Sequence, residues 1–333
     1  MGPCHIFLWH NPVMPIFAAL LVTASLTSPL PHQTKKSQAA SVKPVDRNKA
    51  VIGQYYPLGQ AGSKLNFKVT EAWYSLLEPR NEAFLLAENN QKLITLHVEI
   101  QNADKVDVAV WSGVFPIKVT GADNQSQTPD AWFFDVTSGK PVNQALRPLQ
   151  KINALLTVPV TADGPVNKLF VNYANEKPLV YDFRGKAKDN LGAWSGGDGI
   201  VKPEINAVVG TPFTLDEWQF TIDEVIAPKA EAKDSDGYAT APTQGLTYRA
   251  RIKNLALVPR GFYSGAFAWN QEDENGQTSQ DLNAYYGTGN TPISGEVAPG
   301  KEIKASLVFA YLGPKVTAVS GTAHLRKVNF PLP

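Results

Sequence analysis

One cysteine, Cys4, is all the sulfur nucleophile that 333 residues contain. Beyond that position neither a disulfide nor a thiol enzyme can be built. Excess charge is also lacking: 31 Lys and Arg stand against 30 Asp and Glu, a net charge of +1. That balance gives no general attraction to nucleic acid or an anionic membrane. No Gly-x-Ser-x-Gly elbow and no His-Glu-x-x-His pair occurs, which removes two common hydrolase signatures. Gly196-Gly197-Asp198-Gly199 has too few spaced glycines for a phosphate loop. Long helical periodicity is missing as well. What is present instead is 25 Pro, 25 Gly and many Val, Thr, Tyr and Phe, a composition suited to short strands joined by turns.

The N-terminus carries the targeting signal. Residues 16–26, IFAALLVTASL, form an apolar run of signal-peptide length, too short to span a bilayer comfortably as a helix. Small residues permit cleavage after Ala24 or after Ala39, and an uncleaved anchor is the alternative. No Lys or Arg precedes the run, so Met14 is a second candidate start. No cysteine closes the run, which argues against lipid attachment.

At this length two hydrophobic cores are the expectation, and the chain divides accordingly. The expected boundaries are a targeting segment over residues 1–39, a disordered lead-in over 40–52, a first β-sandwich over 53–184, a linker over 185–204 and a second β-sandwich over 205–333. The linker is rich in Gly, Lys and Asp around Trp194. The two halves can be superposed. KLITLHVEIQN, ending at Asn102, answers GLTYRARIKN, ending at Asn254. Phe115 and Phe267 follow at equal distance, and Gln125 and Gln277 follow those. Alternation in the first segment sends Ile94, Leu96, Val98 and Ile100 to the core and Thr95, His97, Glu99 and Gln101 to water. In the second, Leu246, Tyr248, Ala250 and Ile252 face inward, and Thr247, Arg249, Arg251 and Lys253 outward. The fold class expected is all-β, two tandem immunoglobulin-like antiparallel sandwiches.

The strand ending in Asn, the Phe strand, the Asn/Gln turn and Val297-Ala298-Pro299-Gly300-Lys301 before Leu307-Val308-Phe309 together resemble the bacterial secreted immunoglobulin-like domains of unknown function. Such domains occur on exported lipoproteins and secreted antigens. The likeness covers roughly residues 60–180 and 210–330 and is looser in the first half, where Arg147-Pro148-Leu149-Gln150-Lys151 replaces the Pro-Gly-Lys turn. It implies a fold and brings no catalytic residues.

Three groups of residues are candidates for chemistry. Asp234 and Asp236, in Asp234-Ser235-Asp236-Gly237, alternate oxygen ligands as Ca²⁺ loops do, although Gly245 stands where an EF-hand needs Glu. Trp132, Phe134, Tyr285 and Tyr286 are candidate ligand-binding aromatics; Phe133 and Phe134 align with Tyr285 and Tyr286 by distance from the Gln turn, and one ring of each pair should face outward. Arg249, Arg251 and Lys253 form a positive stripe, read as a solvated face that discourages edge pairing. His97 and His324 read as exposed strand residues, and a glycosidase pair drawn from Asp130, Asp135 or Asp281 is the weakest option. The expectation is therefore an exported, extracytoplasmic, non-catalytic protein that binds or spaces a protein or glycan of the cell envelope. A carbohydrate-binding accessory protein is the alternative, with no nucleic-acid partner and no membrane insertion of the mature domains.

Overall fold

Regular structure in the computed structural model is confined to strands and single-turn 3-10 helices, over the described residues 46–79, 84–88, 90–228, 245–289, 291–310, 315–323 and 326–333. The chain is all-β. Among the described residues no sheet draws strands from both halves. No helix among them is long and apolar enough to cross a membrane.

Period-two alternation builds the longest strands. Gln91–Asn102 lies between Leu65–Ser75 and Lys151–Thr161, antiparallel to both. Tyr56–Leu58 and Trp132–Asp135 complete that sheet at its edges. Facing it is a sheet of Leu179–Asp182, Lys168–Val171, Ile117–Thr120 and Ser126–Gln127. Phe115 sits at the centre of the core between them, with ring centroids 5.4 Å from Phe67, 5.9 Å from Phe133 and 5.5 Å from Tyr173.

The second half has the same pairing order. Thr247–Asn254 lies between Trp218–Ile226 and Glu302–Phe309, flanked by Phe213–Leu215 and Leu282–Tyr286. Its opposite sheet contains Arg326–Asn329, Val316–Ala323, Ala268–Asp273 and Thr278–Ser279. Trp269 from that sheet and Phe330, just after its last strand, meet Phe309 and Tyr248 at 6.0 and 5.2 Å. Both halves interrupt the second strand at one place, between Val69 and Glu71 and between Ile222 and Glu224, a bulge that increases local twist.

The paired asparagines explain why both central strands end where they do. Asn102 is fully buried; its amide donates to the carbonyls of Val106 at 2.8 Å and Leu146 at 2.7 Å, and its oxygen accepts from the Asp104 N–H at 2.8 Å. Asn254 repeats this with Val258 at 2.9 Å, Val297 at 2.8 Å and the Ala256 N–H at 2.8 Å. A side-chain amide thus supplies the partners that the turning backbone loses.

Several expectations require correction. Residues 46–52, assigned to the lead-in, are ordered. Arg47–Lys49 forms a 3-10 turn, and Ala50 bridges Tyr181 in parallel, as Ile205 pairs with Val328 in the second half. Arg47 holds the segment by donating to Pro57 O at 2.6 Å and pairing with Glu176 at 2.8 Å. The segment has no apolar alternation because one guanidinium docks it.

The linker over 185–204 is also structured. Lys188–Asp189 adds in parallel to Leu65–Ser75, Ser195–Gly197 pairs with Ile200–Val201, and Trp194 is 1% exposed. Its indole N–H donates to the Thr214 carbonyl at 2.7 Å. Thr95 and Thr247 were expected to face water and are buried. Thr95 lies in a cross-strand row with Trp73, Thr157 and Trp132, and its hydroxyl meets that of Thr157 at 3.1 Å. Flanking indoles and a hydroxyl partner make burial of a threonine tolerable.

Candidate ligand-binding surfaces

The aromatic pairing inferred by counting from the Gln turn is displaced by one residue. Phe134 pairs with Leu155 and bridges Pro141, while Tyr285 pairs with Ser306 and bridges Pro292. Tyr285 is therefore the counterpart of Phe134, because the second half is one residue shorter before this strand. A slip of one residue exchanges faces, so Tyr286 takes the position of Asp135. Phe133 is buried, and Trp132, Phe134, Tyr285 and Tyr286 are each half-buried. The Tyr286 hydroxyl donates to the Ser294 carbonyl. None of the four is a freely exposed plate.

Around Phe134 the first half carries a mixed outer face. The cross-strand row Glu71, His97, Leu155, Phe134 lies beside the row Trp73, Thr95, Thr157, Trp132. His97 is half-buried rather than exposed. The Trp73 indole and the Ser75 hydroxyl both donate to the buried Glu78 carboxylate at 2.6 Å. Further along, Glu99 accepts from Lys68 at 2.8 Å, from the Tyr55 hydroxyl at 2.5 Å and from Lys151 at 3.3 Å. The bond from Lys68, followed by that from Tyr55, holds its carboxyl down to about 2.

In the second half the same face is charged. The stripe does not lie on a sheet edge, as expected, but on a strand paired on both sides. Arg249 pairs with Glu224 at 2.6 Å and Arg251 with Asp223 at 3.0 Å, so cross-strand ion pairs answer it. Asp135 closes a turn: Oδ1 accepts the N–H groups of Thr137 and Ser138 and the Ser138 hydroxyl. Asp234 and Asp236, with His324, lie outside the described residues. Among the described residues no group of three or more His, Cys, Asp or Glu could hold a metal ion.

A different pair of aromatics stands free. Trp111 is 48% exposed and Tyr263 is 71% exposed, each at the start of a 3-10 turn, Ser112–Val114 or Ser264–Ala266. Each ring lies over the glycine of its turn. A Cβ on Gly113 would sit 2.0 Å from the Trp111 ring, and one on Gly265 would sit 2.6 Å from the Tyr263 ring. Only a residue without a side chain lets the ring lie flat there. The signal is legible in the sequence as Trp111-Ser112-Gly113-x-Phe115 against Tyr263-Ser264-Gly265-x-Phe267, where the phenylalanines alone mark the correspondence of the halves.

No protein-family model matches the chain, and no curated protein sequence matches it. Among solved structures it is similar to an uncharacterized β-sandwich protein from Clostridium difficile 630, at 18% identity and a TM-score of 0.33. The match covers 40% of this chain and 93% of that one.

Two ionisable groups lie at the junction and at the hairpin end. Arg326 is buried and donates to the carbonyls of Ala87 at 2.7 Å, Glu88 at 2.7 Å and Gln91 at 3.1 Å. Burial lowers its guanidinium to about 10. Glu217, beside Asp216 in the Leu215–Trp218 turn, is raised to about 7, first by burial and then by its bond to the Asp216 carboxyl.

Proposed function

We propose that this chain is an exported, non-catalytic binding protein in which two copies of one immunoglobulin-like module hold binding surfaces in a fixed relation outside the cytoplasm. The junction between the halves carries this reading. Trp194 and Arg326 both bridge it: the indole reaches Thr214, and the guanidinium reaches three carbonyls of residues 87–91. A tethered pair of independent domains needs no such bonds, whereas a protein that spaces or presents surfaces gains from them. The apolar run at residues 16–26 supports export.

A glycan ligand is favoured over a protein one by the two glycine-backed rings at Trp111 and Tyr263. Cell fractionation with envelope cosedimentation tests the reading. Tagged full-length chain should be recovered outside the cytoplasm and sediment with isolated envelopes. Recovery in the cytoplasm, or failure to sediment, would overturn it.

A further inference from the structure

The Trp111 ring borders a groove of about 490 Å³, within the range of roughly 300–1,000 Å³ common for small-ligand sites. Its floor is tied together. The Tyr173 hydroxyl donates to the Ser63 carbonyl at 2.7 Å, the Asn172 amide donates to the Pro116 carbonyl at 2.9 Å, and Tyr173 stacks on Phe115. The indole is propped from beneath by Gly113, so its other face is presented to solvent without a mobile support. Asp107 and Asn175 also line the groove and are exposed. Among the described residues neither side chain is engaged by a neighbour. No lining residue is cationic.

These features restrict the ligand. A flat apolar plate calls for a flat apolar face, and acceptors and donors at its rim call for hydroxyl groups around that face. A pyranose with all-equatorial substituents presents both, whereas an axial hydroxyl breaks the face. The Asp107 carboxylate, with no cationic side chain among the described lining residues, repels anionic sugars.

We infer that the Trp111 groove binds a neutral oligosaccharide of β-linked, gluco-configured units, glucose or N-acetylglucosamine, stacked on the indole with its hydroxyls held by Asp107 and Asn175. This rests on the binding-protein reading and gives its ligand class. Tyr263 over Gly265 is a second, smaller plate in the other half.

Isothermal titration of the full chain with cellohexaose, chitohexaose and, as an anionic control, polygalacturonate tests the inference. At least one neutral hexasaccharide should bind and polygalacturonate should not. Trp111→Ala should weaken binding by about tenfold or more, the size of one lost stacking contact. Asp107→Asn should weaken it less, and Gly113→Ala should weaken it while keeping the indole. Tyr263→Ala should leave the Trp111-site affinity within about twofold. Circular dichroism melts establish that each variant is folded. Absence of binding to both neutral hexasaccharides, or full affinity in folded Trp111→Ala, would overturn the inference. Envelope cosedimentation by wild type, with no binding to either neutral hexasaccharide, would overturn the glycan site and leave the binding-protein reading standing.

Discussion

The two halves share their interior and differ on their surface. Asn102 and Asn254 close the same turns with the same three bonds. Strand order and the bulge also repeat. On the outer face of the long sheet the halves part: His97, Leu155 and Phe134 occupy one row where Arg249, Ser306 and Tyr285 occupy the other. Shared positions are those where a wrong residue would leave buried polar groups unpaired, so they inform on folding. Function is to be sought where the halves differ, or where both hold an exposed group that folding does not need. Trp111 and Tyr263 meet the second condition.

The largest expected effect tests the shared interior. Asn102→Ala and Asn254→Ala each remove three hydrogen bonds made by a buried side-chain amide, and each should cost about 3 kcal/mol in denaturant unfolding. A large inequality between them would break the equivalence of the halves. Next is the contact between the halves. Arg326→Ala should cost about 2 kcal/mol and raise amide exchange at residues 87–91. Unchanged exchange there would mean that the guanidinium does not hold the halves together.

The halves should also differ in pH response. Glu99 is depressed in the fold, so its contribution is complete above the unfolded carboxylate value and is lost as pH falls toward about 2. Glu99→Gln should remove that acid limb, with a loss of about 1 kcal/mol at neutral pH because the site is partly solvated. Glu217 is raised, so the folded state binds the extra proton. Stability from this group is present below the unfolded value and declines as pH rises through about 7. Glu217→Gln should flatten melting temperature between about pH 4.5 and 7, the window from the unfolded to the folded value. An unaltered slope would show that the Asp216 pair does not retain its proton.

The smallest effect concerns one turn. Leu149 has φ +66° and is 76% exposed, at the place where the second half has Gly300 with φ +67°. Its left-handed backbone is strained for leucine and natural for glycine. Leu149→Gly should stabilise the protein by a few tenths of a kcal/mol, up to about 1. Destabilisation would show that the side chain contributes packing across the groove formed by Ala145, Arg147, Pro148 and Gln150.

Much of the interior is readable in the sequence. Ile94, Leu96, Val98 and Ile100, and Leu246, Tyr248, Ala250 and Ile252, are buried as alternation requires. Strand-ending asparagines stood out because a polar residue closing an apolar pattern is unusual. What escaped notice has physical causes. A one-residue shortening before Leu282–Tyr286 leaves no mark in composition, yet it changes which rings correspond. Residues 46–52 and 185–204 lack apolar periodicity because Arg47, Trp194 and backbone pairing dock them. Period alone sends Thr95 to water, whereas the neighbouring indoles and the Thr157 hydroxyl account for its burial. The candidate site was least readable, since the exposure of Trp111 depends on a 3-10 turn and on the glycine beneath the ring.

The seven tryptophans offer the most direct measurement. With ¹⁵N-labelled indoles, cellohexaose or chitohexaose is titrated into the full chain, and each resonance is assigned by single Trp→Phe substitution. Saturable movement of the Trp111 indole signal, with the buried Trp194, Trp218 and Trp269 signals fixed, is the predicted result. A stationary Trp111 signal at ligand concentrations that shift another indole, or that shift none, would contradict the assignment of ligand binding to this groove.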